Sequence, residues 1–196
     1  MPRTAKHRSR HPALLAAALL ACVLAGCAAP PAVREYQDER TAATVTVAGP
    51  GLLFGEAQAV YSVNARNFLT LAPVEINRGG ARTIYWYGYT WSTLDKSFGH
   101  EPPLEYTLDA DGRQIKLALR DAALSELGLS EAPVKPPSSD ARMVIAVTSR
   151  ADLRLVAQAR ELSAFGNRDG ALERYELWED GRAGIAAFLD GNGPGR

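Results

Sequence analysis

Thiols and imidazoles are scarce in this 196-residue chain, which has two cysteines, Cys22 and Cys27, and three histidines, His7, His11 and His100. Beyond residue 27 there is no cysteine and a single histidine. That stretch therefore holds no disulfide framework, no thiol nucleophile and no set of His and Cys ligands for zinc. Positive charge is not in excess either: 22 Lys and Arg stand against 22 Asp and Glu, with no basic patch among the aromatics, so nucleic acid is not an expected partner. No apolar run is long enough to span a bilayer. The longest, ALLAAALLACVL at 13–24, has about twelve residues where roughly twenty are needed.

Motifs for common chemistries are missing as well. Gly49-Pro50-Gly51 and Gly55 are not followed by Gly-Lys-Ser/Thr, so they form no phosphate loop. Asp109-Ala110-Asp111-Gly112 begins like a calcium loop, but Arg113 and Gln114 stand where an oxygen ligand and a glycine belong, and Arg120 occupies the twelfth place. A tight hairpin turn is the better reading. His100, in Gly99-His100-Glu101-Pro102-Pro103, reads as a solvated loop residue. Carboxylates such as Asp95 and Glu101 would serve a glycosidase only if both lined one cleft. No catalytic residue and no metal ligand is assigned, and the chain is not expected to be an enzyme.

What is present begins at the N-terminus. Arg3, Lys6, Arg8 and Arg10, with no acid among them, precede the apolar run, whose length suits a secretory signal peptide at about 7–15 residues. The run closes on Leu24-Ala25-Gly26-Cys27. This box resembles the lipobox of bacterial lipoproteins. The resemblance implies cleavage between Gly26 and Cys27, diacylation of the Cys27 sulfur and acylation of the new α-amino group. Small residues at 25 and 26 admit a peptidase, and only a thiol can form the thioether. Ala28 and Ala29, in place of the aspartate that retains lipoproteins at the inner membrane, imply export to the outer membrane. Two or three acyl chains, at about 0.8 kcal/mol per buried methylene, anchor far more firmly than one. Loss of residues 1–26 removes four of the 22 basic residues and no acid, leaving 18 against 22 and a net charge of −4. No cofactor is expected beyond the covalent lipid on Cys27.

The expected organisation is a signal peptide over 1–26, a lipidated cysteine and tether over 27–40, one globular β-rich domain over 41–190 and a flexible tail over 191–196. Strand signals dominate the first two-thirds. TAATVTVAG (41–49) is β-branched, and FLTLAPVEIN (68–77) turns at Gly79-Gly80 into RTIYWYGYTWST (82–93). Pro73 suggests an edge strand or a bulge. EYTLD and RQIKLAL flank Asp111-Gly112 as a second hairpin, MVIAVTS (143–149) is a further strand, and ELSAF and LERYELWE bracket a third hairpin at Asn167–Gly170. Short helices are expected after Asp121, Ser149 and Asp180. The fold class is mainly β: an antiparallel, sandwich-like sheet or sheets with two or three short helices. The alternative is an α+β fold with one antiparallel sheet covered by helices.

Alternation along residues 83–93 puts Tyr85, Tyr87, Tyr89 and Trp91 on one strand face and Ile84 and Trp86 on the other. A strand apolar on both faces belongs in the centre of a packed structure, so a core wall with wetted hydroxyls is the first reading. The other is an exposed binding surface on which a glycan stacks. EYQDERTAATVTV, this aromatic strand and the closing YELWEDGRAGIAAFLD are together similar to small, uncharacterised Gram-negative outer-membrane lipoproteins, a resemblance that covers most of the chain and implies no activity. The expectation is a lipid-anchored, periplasm-facing, non-catalytic module that binds or scaffolds an envelope protein. The alternatives are a glycan- or lipid-binding module using the tyrosine face and, third, an envelope hydrolase.

Overall fold

The computed structural model describes residues 33–57, 65–94 and 102–191. Gly26, Cys27, the signal sequence, Asp95, His100, Glu101 and residues 192–196 lie outside them. The described residues form eleven strands and two helices: β1 (Val33–Gln37), β2 (Thr44–Ala48), β3 (Leu52–Ala57), β4 (Arg66–Arg78), β5 (Ala81–Ser92), β6 (Glu105–Ala110), β7 (Arg113–Ala118), β8 (Arg120–Asp121), β9 (Arg142–Val147), α1 (Arg150–Gln158), β10 (Leu162–Arg168), β11 (Ala171–Glu179) and α2 (Arg182–Asp190). The fold is mainly β, a nearly closed antiparallel sheet with two helices.

Three two-residue turns build the hairpins β4–β5, β6–β7 and β10–β11. Gly79-Gly80, Asp111-Gly112 and Asp169-Gly170 all have positive φ at both positions, the backbone that matches the twist of paired strands. The sheet then runs β7-β6-β10-β11-β3-β4-β5-β9-β8, while β1 and β2 join beside it. β4 is central rather than an edge: β5 pairs along its whole length, and its other side pairs with β3 up to Leu71 and with β2 from Val74. Pro73, which has no N–H to donate, falls in the gap between those two partners.

Two expectations are corrected. Residues 33–37, placed in the tether by the preceding Pro30-Pro31 and by their own charges, are strand β1, paired with β2 and buried at Val33. The segment after Asp121 is a run of turns rather than a helix, and Asp121 belongs to β8. The other helices form. Ser149 caps α1, its Oγ accepting from the Asp152 N–H at 3.0 Å. Gly181, not Asp180, is the N-cap residue of α2, although Asp180 Oδ1 accepts from the Arg182 N–H at 3.0 Å.

The sheet divides two cores. Its inner face, with α1 and α2 packed against it, buries Phe54, Leu69, Trp86, Leu108, Leu153, Tyr175 and Ile185. The second core lies on the outer face of β2, β4, β5 and β9, under a strap of residues 119–141 that inserts Leu127 and Leu129. At Gly88 the sheet is tightly coiled. A Cβ there would stand 1.7 Å from the Thr70 carbonyl oxygen of β4, so only glycine fits.

Candidate functional site

The tyrosine row forms the floor of the second core, not an open surface. Tyr87 is 0 % and Tyr89 4 % exposed, and Tyr85 and Trp91 are partly buried against the same cluster. Their hydroxyls are satisfied within the protein: those of Tyr87 and Tyr89 lie 3.0 Å apart, and Tyr89 donates to the Val134 carbonyl of the strap at 2.7 Å. Burial pushes both phenols above their usual range. Tyr87 and Tyr89 therefore offer no open binding surface, because the strap covers them, while Tyr85 and Trp91 stay partly exposed.

Besides its pairing with β9 through β8, the strap's backbone is gripped by side chains of Asp38, Arg34, Arg78 and Tyr89. Asp38 accepts from the N–H and Oγ of Ser130 at 2.6 and 2.9 Å, Arg34 donates to Pro133 O at 2.5 Å, Arg78 donates to Leu127 O at 2.6 Å, and Tyr89 donates to Val134 O. A hollow of about 360 Å³ beside this seam is lined by Tyr36, Asp38, Glu39, Arg40, Ser130 and Glu131. Asp38 is 4 % exposed and fully engaged with backbone donors, including Arg40 and Thr41, which marks it as a structural carboxylate.

On the inner face a second polar group is enclosed. Tyr106 and Tyr175 meet edge to face at 5.3 Å across Gly166, whose missing side chain leaves room for both rings. Arg168 pairs with Glu173 at 2.7 Å, and Asn67 donates to Glu56 at 3.2 Å. Among the described residues, buried Asn67 Oδ1, Thr90 Oγ1 and Trp86 Nε1 find no hydrogen-bond partner. Asp109 and Asp111, read as a turn, serve that turn: Asp109 accepts from Gly112 N–H, and Asp111 accepts from the N–H groups of Arg160 and Glu161. Among the described residues no group of three His, Cys, Asp or Glu side chains is placed to hold a metal ion.

The open concavity lies elsewhere, on the outer face of β11, β3 and β4. Gly55 and Ala57 floor a cleft of about 330 Å³, with Trp178, Arg66, Arg174, Glu56 and Glu176 around it. A bulge in β11 sets Trp178 there: Leu177 pairs with Phe54 and Glu179 with Leu53, so Trp178 is the extra residue. Its indole lies flat on Gly55, three ring atoms coming within 2.8–3.2 Å of where a Cβ would stand. Phe68 meets the indole at 86°, with centroids 5.4 Å apart, and is itself stacked on Trp91 at 4.9 Å. One indole face is thus covered and the other open, in keeping with an exposure of 52 %. Trp91, a candidate only in the second reading of the aromatic row, braces Phe68. Trp178 was missed, although the sequence signals it: in LERYELWE the outward positions Arg174 and Glu176 are charged, and a tryptophan follows at the next outward place.

Compared with known proteins, the chain matches no family model, no curated protein and no solved structure.

Proposed function

We propose that this protein is a lipid-anchored outer-membrane lipoprotein whose β domain faces the periplasm and binds an envelope component without chemical turnover. The observation that carries this reading is the N-terminal pattern: basic residues, a short apolar run and Leu24-Ala25-Gly26-Cys27. The short link to the sheet supports it. β1 starts at Val33, so five residues, 28–32, lie in sequence between Cys27 and the first described strand. At no more than about 3.6 Å per residue, that link reaches roughly 20 Å, which holds the domain against the membrane surface. The cleft beside Trp178 is the contact site this reading favours, since Tyr87 and Tyr89 are covered.

The test is lipidation itself. In a Gram-negative host, the wild-type chain should fractionate with outer membranes and carry a thioether-linked lipid at Cys27 by mass spectrometry. Cys27→Ser should give a soluble protein or an uncleaved precursor. A bare Cys27 in membrane-associated protein would overturn the anchor.

A further inference from the structure

We propose that the cleft beside Trp178 binds a neutral carbohydrate, with one sugar ring stacked on the open indole face and its hydroxyls held by Arg174 and Glu176. The inference rests on the binding-module reading above and supplies its ligand class. A sugar ring has an apolar C–H face and a belt of hydroxyls around its edge. The first matches the exposed indole. The second matches planar guanidinium and carboxylate groups, each of which can engage two adjacent hydroxyls at once. Arg174 and Glu176 project from the same face of β11 as Trp178, and among the described residues neither side chain is committed to an ion pair.

The lining argues against other occupants. Among the described residues Trp178 is the single large apolar one in the lining, so a lipid tail or an apolar peptide anchor finds no companion contact there. Beside the indole, Arg174 stands against Glu176, so the two polar side chains nearest the stacking face offset each other in charge. The core of a protein interface is depleted in charged side chains, whereas this lining is rich in them. The volume of about 330 Å³ lies at the small end of ligand sites, roughly 300–1,000 Å³, and suits one or two sugar rings. The indole is also fixed beforehand by the bulge, by Gly55 beneath it and by Phe68 at its side, so stacking costs little side-chain freedom.

The experiment titrates the detergent-solubilised full chain with short neutral oligosaccharides of hexose and of N-acetylhexosamine, followed by tryptophan fluorescence and calorimetry. Saturable binding of at least one sugar is expected. It should weaken by about tenfold or more in Trp178→Ala and in Arg174→Ala, and survive in large part in Trp178→Phe. Trp178 is half exposed, so an unchanged melting temperature in Trp178→Ala separates lost binding from lost folding. Absence of saturable binding by every sugar, or undiminished binding by Trp178→Ala, overturns the assignment. If sugars fail while a photo-crosslinker at position 178 captures a protein in intact cells, the carbohydrate falls and the binding module stands. If neither binds, both fall. Cleavage of the sugar during titration would uphold the ligand class and overturn the non-catalytic reading.

Discussion

Trp86 is the largest fully buried side chain among the described residues: it is 0 % exposed and sits at the middle of the longest hairpin, opposite Pro73 and Ala146. Replacing it with alanine leaves a cavity that backbone paired on both sides cannot close. Trp86→Ala is expected to cost about 3–5 kcal/mol, read from the shift of a denaturant midpoint at constant slope. An unchanged midpoint would mean that the strand is not central. The period-two alternation of residues 83–93 made this residue legible in the sequence, because an aromatic opposite an aromatic row has nowhere to go but a core. The same alternation left the tyrosine row ambiguous. A strand face records which residues share a side, and nothing in it says what lies above them.

At the scale of elements, the strap is the part whose attachment depends on a titrating group. Asp38 is held well below the usual carboxylate range, first by the backbone N–H of Ser130 and against the opposing effect of its own burial. A free aspartate titrates near ~3.9, so the folded chain binds fewer protons than the unfolded one across the acid range. This contribution is complete above the unfolded value and is lost as pH falls towards the lower folded value. Amide exchange at Leu127–Ser130, corrected for the intrinsic rate, should therefore accelerate below about pH 4. Asp38→Asn, which keeps one acceptor oxygen, should loosen the same amides at neutral pH and flatten the acid dependence. Equal protection in both proteins would remove Asp38 as the clasp. Residues 130–140 of the strap, with Pro133, Pro136 and Pro137, have the composition of an exposed loop. Proline does mark irregular backbone, but irregular backbone also covers a core when Leu127 and Leu129 point inward and its carbonyls find donors such as Arg34 and Arg78.

For the whole molecule, the two cores share β4, β5 and β9, so neither can empty without unpairing strands that line the other. Residues 31–196 form one compact unit. Denaturation is expected as a single transition, with tyrosine near-ultraviolet dichroism from Tyr87 and Tyr89 coinciding with far-ultraviolet loss of the sheet. Separate midpoints would show the strap side to be an independent unit. The same coupling explains why β1 was misplaced: its five residues bury one apolar side chain strongly, Val33, and owe their extended form to pairing with β2 rather than to their own pattern.

The sequence by itself determined the local devices of this protein. Gly79-Gly80, Asp111-Gly112 and Asp169-Gly170 dictate hairpins because few residues tolerate two successive positive φ angles, and Ser149 starts a helix because its hydroxyl caps the next turn. These are short-range requirements, settled within a few bonds. Only the tertiary structure decided that β1 joins the sheet, that the strap seals Tyr87 and Tyr89, and that Trp178 rather than those two meets solvent. Exposure is fixed by which distant segments lie across a face, here residues 119–141 over one part of the sheet and none of the described chain over the open side of the indole.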